Sequence, residues 1–390
     1  MSKGLNIALV GGSLSGYAGG APRSLAVHAK ALHGQGTGVT IFAGFSKKYP
    51  LTPEQFGLDG IEVVASRLWG PSVLGLNVKA LGMLFKRARE FDVIHLNGHW
   101  NFTTFIGATI AKIRKVPYVI TVRGHLGKYD FEHLRPLKKI LFPTMEMPNI
   151  KGAALMHVCS EWEKTDSMRA LKFAKRIEKI PNAVDVSKLL PMLERSDARK
   201  QLDLPIDVPV YLYLARVSPD KSPEMLINAW AASTRKTDGS MLVIAGPYDP
   251  EYGKKLFDLV DDLGVKESIR FPGYADNEAK RKWLSASDVF VLPSTDDSFS
   301  VAVIEAARFG LHCILSPYVG AAEYIPSALL TTAELHEEAW AKALSAAHPR
   351  TGDAPTDWMD LFTLEGLGQH WMMLYGEIAD QKIGCHGTPA

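Results

Sequence analysis

Two cations in the second half of the chain have the residue types and spacing to bind a charged ligand. Arg216 and Lys221 lie in LARVSPDKSPEM, just past the apolar run VYLYL. An arginine holds oxygens with a bidentate fork and a lysine adds a mobile point charge, so the two together suit a diphosphate. The alternative is a solvated surface loop, which on this feature alone is the commoner case.

Two carboxylates follow at a spacing of eight residues. Asp297 and Glu305 lie in STDDSFSVAVIEAARFG, which predicts Asp297 in a loop and Glu305 about one turn inside a helix that Ser300 caps. The amides and dipole of that helix N-terminus suit phosphate oxygens, which would leave Glu305 free to hold a ribose. Asp296 beside Asp297 raises the alternative of a metal site. Adjacent loop side chains rarely converge and the sequence offers no third ligand, so no metal is expected.

The first half contributes glycines and histidines. Gly19 and Gly20 precede the first predicted helix, where glycine permits a close approach of the backbone to a ligand. The glycines do not follow the G-x-G-x-x-G spacing and no acidic residue ends a second strand, which argues against a dinucleotide-dependent oxidoreductase. His95 and His99 in DVIHLNGHW follow a predicted strand. For either residue the alternative is a hydrogen-bonded packing histidine.

Alternating strands and helices must position these residues. Short β-prone apolar runs alternate with amphipathic stretches, which predicts an α/β fold with parallel sheets covered on both faces. The alternation breaks at KIPNAVDVSKLLP and then restarts, so we predict one domain at 1–185 and a second at 186–362. An amphipathic helix at 363–381 is expected to pack back on the first domain. Ligands bind outside the carboxyl ends of strands in such sheets, so a cleft between the domains is the expected site.

Composition describes an ordinary globular protein. The 390 residues are 46% hydrophobic and 22% charged, and the three cysteines lie far apart without metal-ligand spacing. Neither a disulfide framework nor a zinc site is expected, and a reducing cytoplasm fits best. The sequence shows neither a signal-peptide pattern nor an apolar run long enough to span a bilayer, so we expect a soluble or peripheral protein.

Charge is unevenly distributed. Residues 1–183 contain 25 lysines and arginines against 12 aspartates and glutamates, a balance of +13, which leaves −11 for the remainder of the +2 chain. A basic half indicates an anionic partner. The segments 81–89 and 133–142 interleave cations with large apolar residues, as interfacial membrane helices do, although ordinary surface helices with this pattern are commoner. Nucleic acid is not expected, because no recognition motif or stacking platform accompanies the charge.

Taken in order, these motifs resemble those of retaining glycosyltransferases with the GT-B fold, above all glycosyltransferase family 4. Asp297 and Glu305 resemble its Glu-x7-Glu motif with an aspartate in the first position. The resemblance continues through VCSEW, IPNAVD, RFPGY and the helix around Trp371, over roughly residues 5–380. It implies two Rossmann-like, doubly wound parallel-sheet domains, the N-terminal one for the acceptor and the C-terminal one for a nucleotide-sugar donor.

The resemblance also implies roles for single residues. Arg123 in VITVRGHL stands where many members carry a histidine that touches the transferred sugar, and is typical of an Arg-Gly subset. The alternative for Arg123 is an ion pair inside its own domain. The implied catalytic residues are Asp297, Arg123 and His99, and the implied donor-binding residues are Arg216, Lys221, Glu305, Gly20, Gly19, Ser298, Phe299, Ser300 and Tyr274.

The implied reaction is retaining, metal-independent and cofactor-free hexosyl transfer. The donor is a UDP- or GDP-sugar, and the acceptor a saccharide or lipid-linked molecule of surface polysaccharide, lipopolysaccharide or glycolipid synthesis. The expected location is the cytoplasm, with the inner face of the membrane as a candidate through the basic half. Two alternatives share the fold: a nucleotide-sugar-binding protein without transferase activity, which the changes at Asp297 and Arg123 leave open, and an epimerase that needs no acceptor. Fold alone does not separate them.

Overall fold

The chain forms two compact units. The computed structural model describes residues 4–15, 20–46, 50–70, 75–128, 131, 136–348 and 357–384. The first unit comprises Met1–Ala183 and Asp360–Ala390, and the second Val184–Met359. The sequence analysis placed the first boundary after residue 185 and the start of the returning helix at 363.

A parallel sheet forms the centre of the first unit. Its strands are β1 (Asn6–Val10), β2 (Gly38–Phe45), β3 (Glu62–Arg67), β4 (Val93–Asn97), β5 (Tyr118–Thr121), β6 (Leu155–Val158) and β7 (Ile177–Lys179). Within the described residues their spatial order is β3-β2-β1-β4-β5-β6-β7. Apolar runs such as those of β1 and β5 are buried along their length, as strands covered on both faces require.

Helices cover both faces of this sheet. They are α1 (Gly20–Gly34), α2 (Val78–Arg87), α3 (Phe102–Arg114), α4 (Pro136–Leu141), α5 (Met147–Gly152), α6 (Glu161–Asp166) and α7 (Met168–Leu171). A π-helical segment, Phe142–Glu146, joins α4 to α5. Apolar residues of α2, α3 and α5, among them Leu84, Ala108 and Ile150, pack into one core cluster with β1 and β4. Helix α1 packs in a second cluster with Ile7 and Leu9 of β1.

The second unit repeats this architecture. Its strands are β8 (Val210–Leu214), β9 (Met241–Ala245), β10 (Ile269–Gly273), β11 (Val289–Leu292), β12 (His312–Leu315) and β13 (Leu330–Thr332). All pair in parallel, in the order β10-β9-β8-β11-β12-β13 across the described residues. Its helices are α8 (Arg195–Gln201), α9 (Pro223–Ala232), α10 (Pro250–Asp262), α11 (Asn277–Ala286), α12 (Val301–Arg308) and α13 (Glu337–Ala346). The predicted pair of doubly wound parallel sheets is therefore confirmed.

The last described helix returns to the first unit. Helix α14 (Leu364–Gly384) packs against α1. Trp371 and Tyr375 of α14 are buried in the same core cluster as Leu25 and Leu32 of α1. The first unit is thus completed by residues that follow the whole of the second.

Candidate functional site

The loops after β8 and β11 lie side by side at the carboxyl edge of the second sheet. The two strands pair through Tyr211 with Val289 and Leu212 with Phe290. Beyond them the sheet extends in opposite directions, to β9 and β10 on one side and to β12 and β13 on the other. Doubly wound sheets bind ligands at such a switch point. The residues of these two loops are therefore the first candidates for a site.

Lys221 links the two loops. Its Nζ donates to Oγ of Ser294 at 3.0 Å, to the carbonyl oxygen of Asp296 at 2.9 Å and to Oδ2 of Asp297 at 2.8 Å. The Lys221 side chain is only 13% exposed. A lysine ammonium has three hydrogens to donate, and all three have partners here. The predicted phosphate-binding lysine is therefore held in a fixed place, in contact with the first carboxylate of the motif.

Arg216 lies at the exposed side of the same loop. Its side chain is 68% exposed and pairs with Asp220 at 3.2 Å. Burial alone would raise the pKa of Asp220, but a hydrogen bond from Ser218 and the charges of Lys221 and Arg216 bring that pKa below its ordinary value. An exposed ion pair of this kind contributes little to stability. Arg216 can thus exchange its partner for a ligand at low cost.

The main chain of Asp297 is clamped to the loop after β12. Its N–H donates to the carbonyl of Tyr318 at 3.0 Å, and its carbonyl accepts from the N–H of Gly320 at 2.8 Å. Oδ1 of Asp297 accepts from the amide of Phe299 at 3.3 Å. The carboxylate therefore has a defined direction, with Lys221 on one oxygen and the backbone on the other.

Helix α12 begins directly after Ser300, but the predicted cap is wrong. Ser300 has φ 54° and ψ 91°, and within the described structure its side chain makes no capping hydrogen bond. A capping serine needs extended backbone angles for its oxygen to reach the first-turn amides. Ser300 instead sits at a positive φ, which costs a non-glycine residue some strain.

Glu305 lies in the second turn of α12 and is not free, contrary to expectation. Lys280 of α11 donates to Oε1 of Glu305 at 2.6 Å, and both side chains are buried. A buried carboxylate requires a partner, which the sequence analysis did not identify. The available signal was a cation in the first turn of a predicted helix, where the helix dipole disfavours it.

The other predicted donor residues belong to both units. Phe299 is buried, its ring packs against Tyr324 and its amide donates to Asp297, so its ring is not exposed to a ligand. Ser298 is half-buried in the same loop, and Tyr274, after β10, is 59% exposed. Gly20 is the first residue of α1, and a Cβ there would meet no described atom within 4 Å. Gly19 lies outside the described residues.

Arg123 occupies a tight turn after β5 in the first unit. The N–H of His125 donates to the carbonyl of Val122, and Arg123 and Gly124 have φ of 60° and 71°, which is the pattern of a type I′ turn. The Arg123 guanidinium donates to the side-chain oxygens of Asn97 and Asn182. Both partners are neutral asparagine side chains, whereas the alternative expectation was an ion pair inside the domain.

Glu163 stabilises this turn through hydrogen bonds to its carboxylate. Its carboxylate accepts from the amides of Gly124 and Cys159, while Ser160 caps the helix that carries it. Ser160 and Glu163 form a Ser-x-x-Glu pattern, which is typical of a capped helix start and is the sequence signal for this role. Glu163 is therefore a supporting residue of the Arg123 turn.

Three buried histidines lie beneath Arg123, and we call His28, His95 and His157 the histidine cluster. His95 contacts Tyr375 and Thr121, and His157 contacts Thr121 and the carbonyl of Ile180. Burial lowers the pKa of all three, to about 3 for His157, and the Arg123 charge lowers each further. His95 is thus a neutral packing histidine.

His99 is also enclosed. Its Nδ1 lies 2.7 Å from Oε2 of Glu146 in the π-helical segment, and Oε1 of Glu146 accepts from the amide of Trp100. His99 Nε2 has no partner among the described residues. His99 thus has the hydrogen-bonded packing arrangement that was the alternative to a catalytic role. Because His99 is buried, contact with a ligand requires local movement.

The described residues include neither a metal-binding cluster nor a membrane-spanning helix. No three histidine, cysteine, aspartate or glutamate side chains in that part of the chain converge on a point where they could bind a metal ion. None of the helices described is both long enough and apolar enough to cross a membrane.

Two family models match the chain. The model described as Glycosyltransferase Family 4 matches residues 18–188, and the one described as Glycosyl transferases group 1 matches residues 194–347. A curated relative, the UDP-Gal:alpha-D-GlcNAc-diphosphoundecaprenol alpha-1,3-galactosyltransferase of Escherichia coli, is 28% identical over 249 residues. That match covers 62% of this chain and 62% of the relative.

Solved structures share the fold over the whole chain. A glycosyltransferase from Rickettsia africae has a TM-score of 0.73 at 16% identity, covering 96% of this chain and 99% of the other. Anabaena Alr3699/HepE, solved with UDP and glucose, has a TM-score of 0.64 at 19% identity, covering 97% and 99%. Both neighbours share the two-unit fold, and the two family models lie on the two units just described. The chain belongs to glycosyltransferase family 4.

Proposed function

We propose that this protein transfers a hexosyl group from a nucleoside diphosphate-sugar to a saccharide or lipid-linked acceptor, with retention of anomeric configuration and without a metal. The observation that carries the proposal is Lys221, fixed between two loops at the switch point of the second sheet with Arg216 beside it. The E. coli relative is named for UDP-galactose and a lipid-diphosphate acceptor, and HepE was solved with UDP and glucose. A UDP-sugar is therefore the first donor to test, with GDP-sugars second.

The two cations have different tasks in this proposal. Lys221 is a fixed positive charge, because its three hydrogens are already directed by the surrounding loops. The exposed Arg216 guanidinium leaves Asp220 and donates bidentate hydrogen bonds to diphosphate oxygens. Charges that are in place before the reaction stabilise a developing diphosphate without further reorganisation.

Bond cleavage then follows from charge stabilisation. The sugar–phosphate bond breaks, the acceptor oxygen attacks from the face on which the nucleotide leaves, and a leaving phosphate oxygen takes the acceptor proton. In this proposal Asp297 accepts a hydrogen bond from a sugar hydroxyl, and Arg123 contacts the transferred sugar or the acceptor. No metal is needed, since Arg216 and Lys221 neutralise the diphosphate.

A ligand screen followed by product analysis tests the proposal. Thermal unfolding is measured with UDP, GDP, ADP and their hexose conjugates, because a ligand at about 100 times its Kd adds about 2.7 kcal/mol to stability. We expect one nucleotide family to stabilise the protein, and Arg216→Ala to remove that effect. Lys266→Ala is the matched control, since Lys266 is an exposed cation just before β10, at the opposite edge of the sheet.

Product analysis separates the alternatives. Retained configuration in a new glycoside, formed equally well with a chelator present, supports the full proposal. Donor binding with neither transfer nor hydrolysis would identify a nucleotide-sugar-binding protein. Conversion of the donor sugar without an acceptor would identify an epimerase.

We extend the proposal to the acceptor's location, the inner face of a membrane with anionic lipids. Helices α2 and α3 pack together and contain cations but no carboxylate. Their outer side, which we call the α2–α3 face, exposes apolar and basic side chains: Val78, Lys79, Phe85, Lys86, Ile113 and Lys115. Apolar side chains among cations suit a negatively charged lipid surface, and each basic residue near it contributes about 1 kcal/mol.

Vesicle sedimentation tests this face. We expect binding to phosphatidylglycerol vesicles that weakens with salt, and weaker binding after Lys79→Gln with Lys86→Gln or after Phe85→Ser. Lys266→Gln in the second unit is the control. Equal sedimentation with neutral phosphatidylcholine vesicles, or no binding at all, would remove the membrane from the proposal while leaving the transferase untouched.

A further inference from the structure

The ion pair between Lys280 and Glu305 connects two helices at the carboxyl edge of the second sheet. Lys280 is the fourth residue of α11, which follows β10, and Glu305 is the fifth of α12, which follows β11 and its loop. The Lys280 and Glu305 side chains are 11% and 7% exposed. The pair is thus buried beside the loop that carries Asp297.

The Glu305 carboxylate has a single described side-chain partner, Lys280. Oε1 accepts a hydrogen bond from Lys280 at 2.6 Å, and the buried Oε2 lies 2.5 Å from the same nitrogen. A carboxylate has about four acceptor sites, so a buried one with one cationic partner retains acceptor capacity for a ligand.

Fold stability does not explain the pair. The buried pair of Arg199 and Asp288 in the same unit shows what a structural one does, since Arg199 also donates to four main-chain carbonyls and Asp288 accepts from the amide of Val210. In the described contacts, Lys280 and Glu305 bind only each other through their side chains. Apolar residues of similar size would generally serve packing at least as well.

The local position of Lys280 is also unfavourable. It lies in the first turn of α11, where the helix dipole repels a cation. Asp276 already caps that helix by accepting from the amide of Ala279, so Lys280 adds nothing to its start. The benefit of the lysine must therefore lie in what it does to Glu305.

We infer that Lys280 is a positioning residue for the nucleoside end of the donor, a role that rests on the proposed function. It holds the Glu305 carboxylate turned so that Oε2 accepts from a ribose hydroxyl of the nucleotide. Ribose recognition thus depends on a residue of α11 as well as on the motif that begins at Asp297.

The test measures how strongly binding depends on the ribose hydroxyls. Titration calorimetry gives the Kd of UDP and of GDP, each compared with its 2′,3′-dideoxy counterpart. For the wild-type protein we expect the ribonucleotide to bind about tenfold or more tightly than the dideoxy form, the size of a charge-assisted hydrogen bond. Lys280→Met should reduce this ratio to near one with little change in the Kd of the dideoxy form.

Further variants separate positioning from a merely structural role. Lys280→Arg keeps a cation and should restore most of the ratio. Glu305→Gln should lower the ratio, and Lys280→Met added to it should lower it no further, because coupled residues are not additive. Lys282→Met is the control, since Lys282 lies on the same helix and pairs with the exposed Glu278.

Each outcome has one meaning. If Lys280→Met binds both forms of the nucleotide as the wild type does, the inference is wrong and the donor site stands. If it weakens the ribonucleotide and the dideoxy form equally, Lys280 is structural and the inference is wrong as well. If the wild-type protein binds no nucleotide, the proposed function fails first.

Discussion

The cations at the carboxyl edges of the two sheets have different kinds of partner. In the second unit each cation of the site is matched by a carboxylate: Arg216 by Asp220 and Lys221 by Asp297. In the first unit Arg123 has amide partners and lies over histidines whose pKa values are lowered. In the proposed function Arg216 exchanges its carboxylate for the diphosphate while Lys221 remains a fixed charge, and Arg123 provides a fixed donor for a neutral sugar hydroxyl. The comparison supports the proposal that the two units bind chemically different parts of the substrates.

The largest effect is expected at the compensated cations. Lys221→Met and Arg216→Ala should each lower turnover by about 100- to 1000-fold, because each removes a charge aimed at the developing diphosphate. Arg216→Ala should leave the melting temperature almost unchanged, since its ion pair is exposed. Steady-state kinetics with thermal unfolding checks both statements, and full turnover in Arg216→Ala would contradict the division between the units.

A change in pH should affect the first unit more than the second. The histidine cluster has pKa values lowered by burial, so below about pH 6.5 the unfolded chain binds protons that the folded unit does not, and stability falls. Each such histidine contributes a loss of about 1.4 kcal/mol by about pH 5.5. At higher pH this contribution is fully present.

Hydrogen exchange, corrected for intrinsic rates, measures this difference segment by segment. Protection of β4, β6 and α14 should decrease on acidification more than protection of β8 and β9. Lowering of the pKa by burial also affects His312 at the start of β12, so that segment is left out of the comparison. An equal loss of protection in the two units would show that the histidine cluster does not cause the acid sensitivity.

The turn at Arg123 separates side-chain function from backbone strain. Arg123→Ala and Arg123→Gly both remove the guanidinium, so both should impair transfer. At φ 60° glycine avoids the cost that alanine incurs, so Arg123→Gly should be the more stable of the two by about 1 kcal/mol. Denaturant unfolding of the two variants gives this difference, and a more stable Arg123→Ala would contradict the turn geometry.

The smallest expected effect is at Ser300. Its hydroxyl makes no capping bond in the described structure, so Ser300→Ala should change the free energy of unfolding by less than about 0.5 kcal/mol. Ser160→Ala, which removes a real cap in the first unit, should cost about 1 kcal/mol. Urea unfolding gives the free energy of unfolding of both variants. A larger loss of stability in Ser300→Ala than in Ser160→Ala would support the cap at Ser300 that the sequence predicted.

Long, strongly patterned segments were predictable from the sequence. Apolar, β-prone runs such as VYLYL and VIHLN predicted strands, and the structure has them as β8 and β4. The edge strands β7 and β13 were missed, because three residues give too short a pattern.

Partners of the predicted site residues were harder to foresee. Arg216, Lys221 and Asp297 were found from type and spacing, but that Lys221 already binds Asp297 depends on the pairing of β8 with β11. Lys280 meets Glu305 across 25 residues, and a cation in the first turn of a helix indicates only that it needs a partner, not which residue that partner is. Spacing along the chain predicts which residues share a loop, and only the sheet order determines which loops meet.

Helix α14 has a consequence for synthesis. Residues 184–359 form one continuous unit, whereas the first unit needs α14 to cover α1. A ribosome therefore completes the second unit before it releases the helix that completes the first unit. Until then Leu25, Leu32 and the rest of that apolar surface lack their cover, so this half of the nascent chain is the part that a chaperone is most needed to protect.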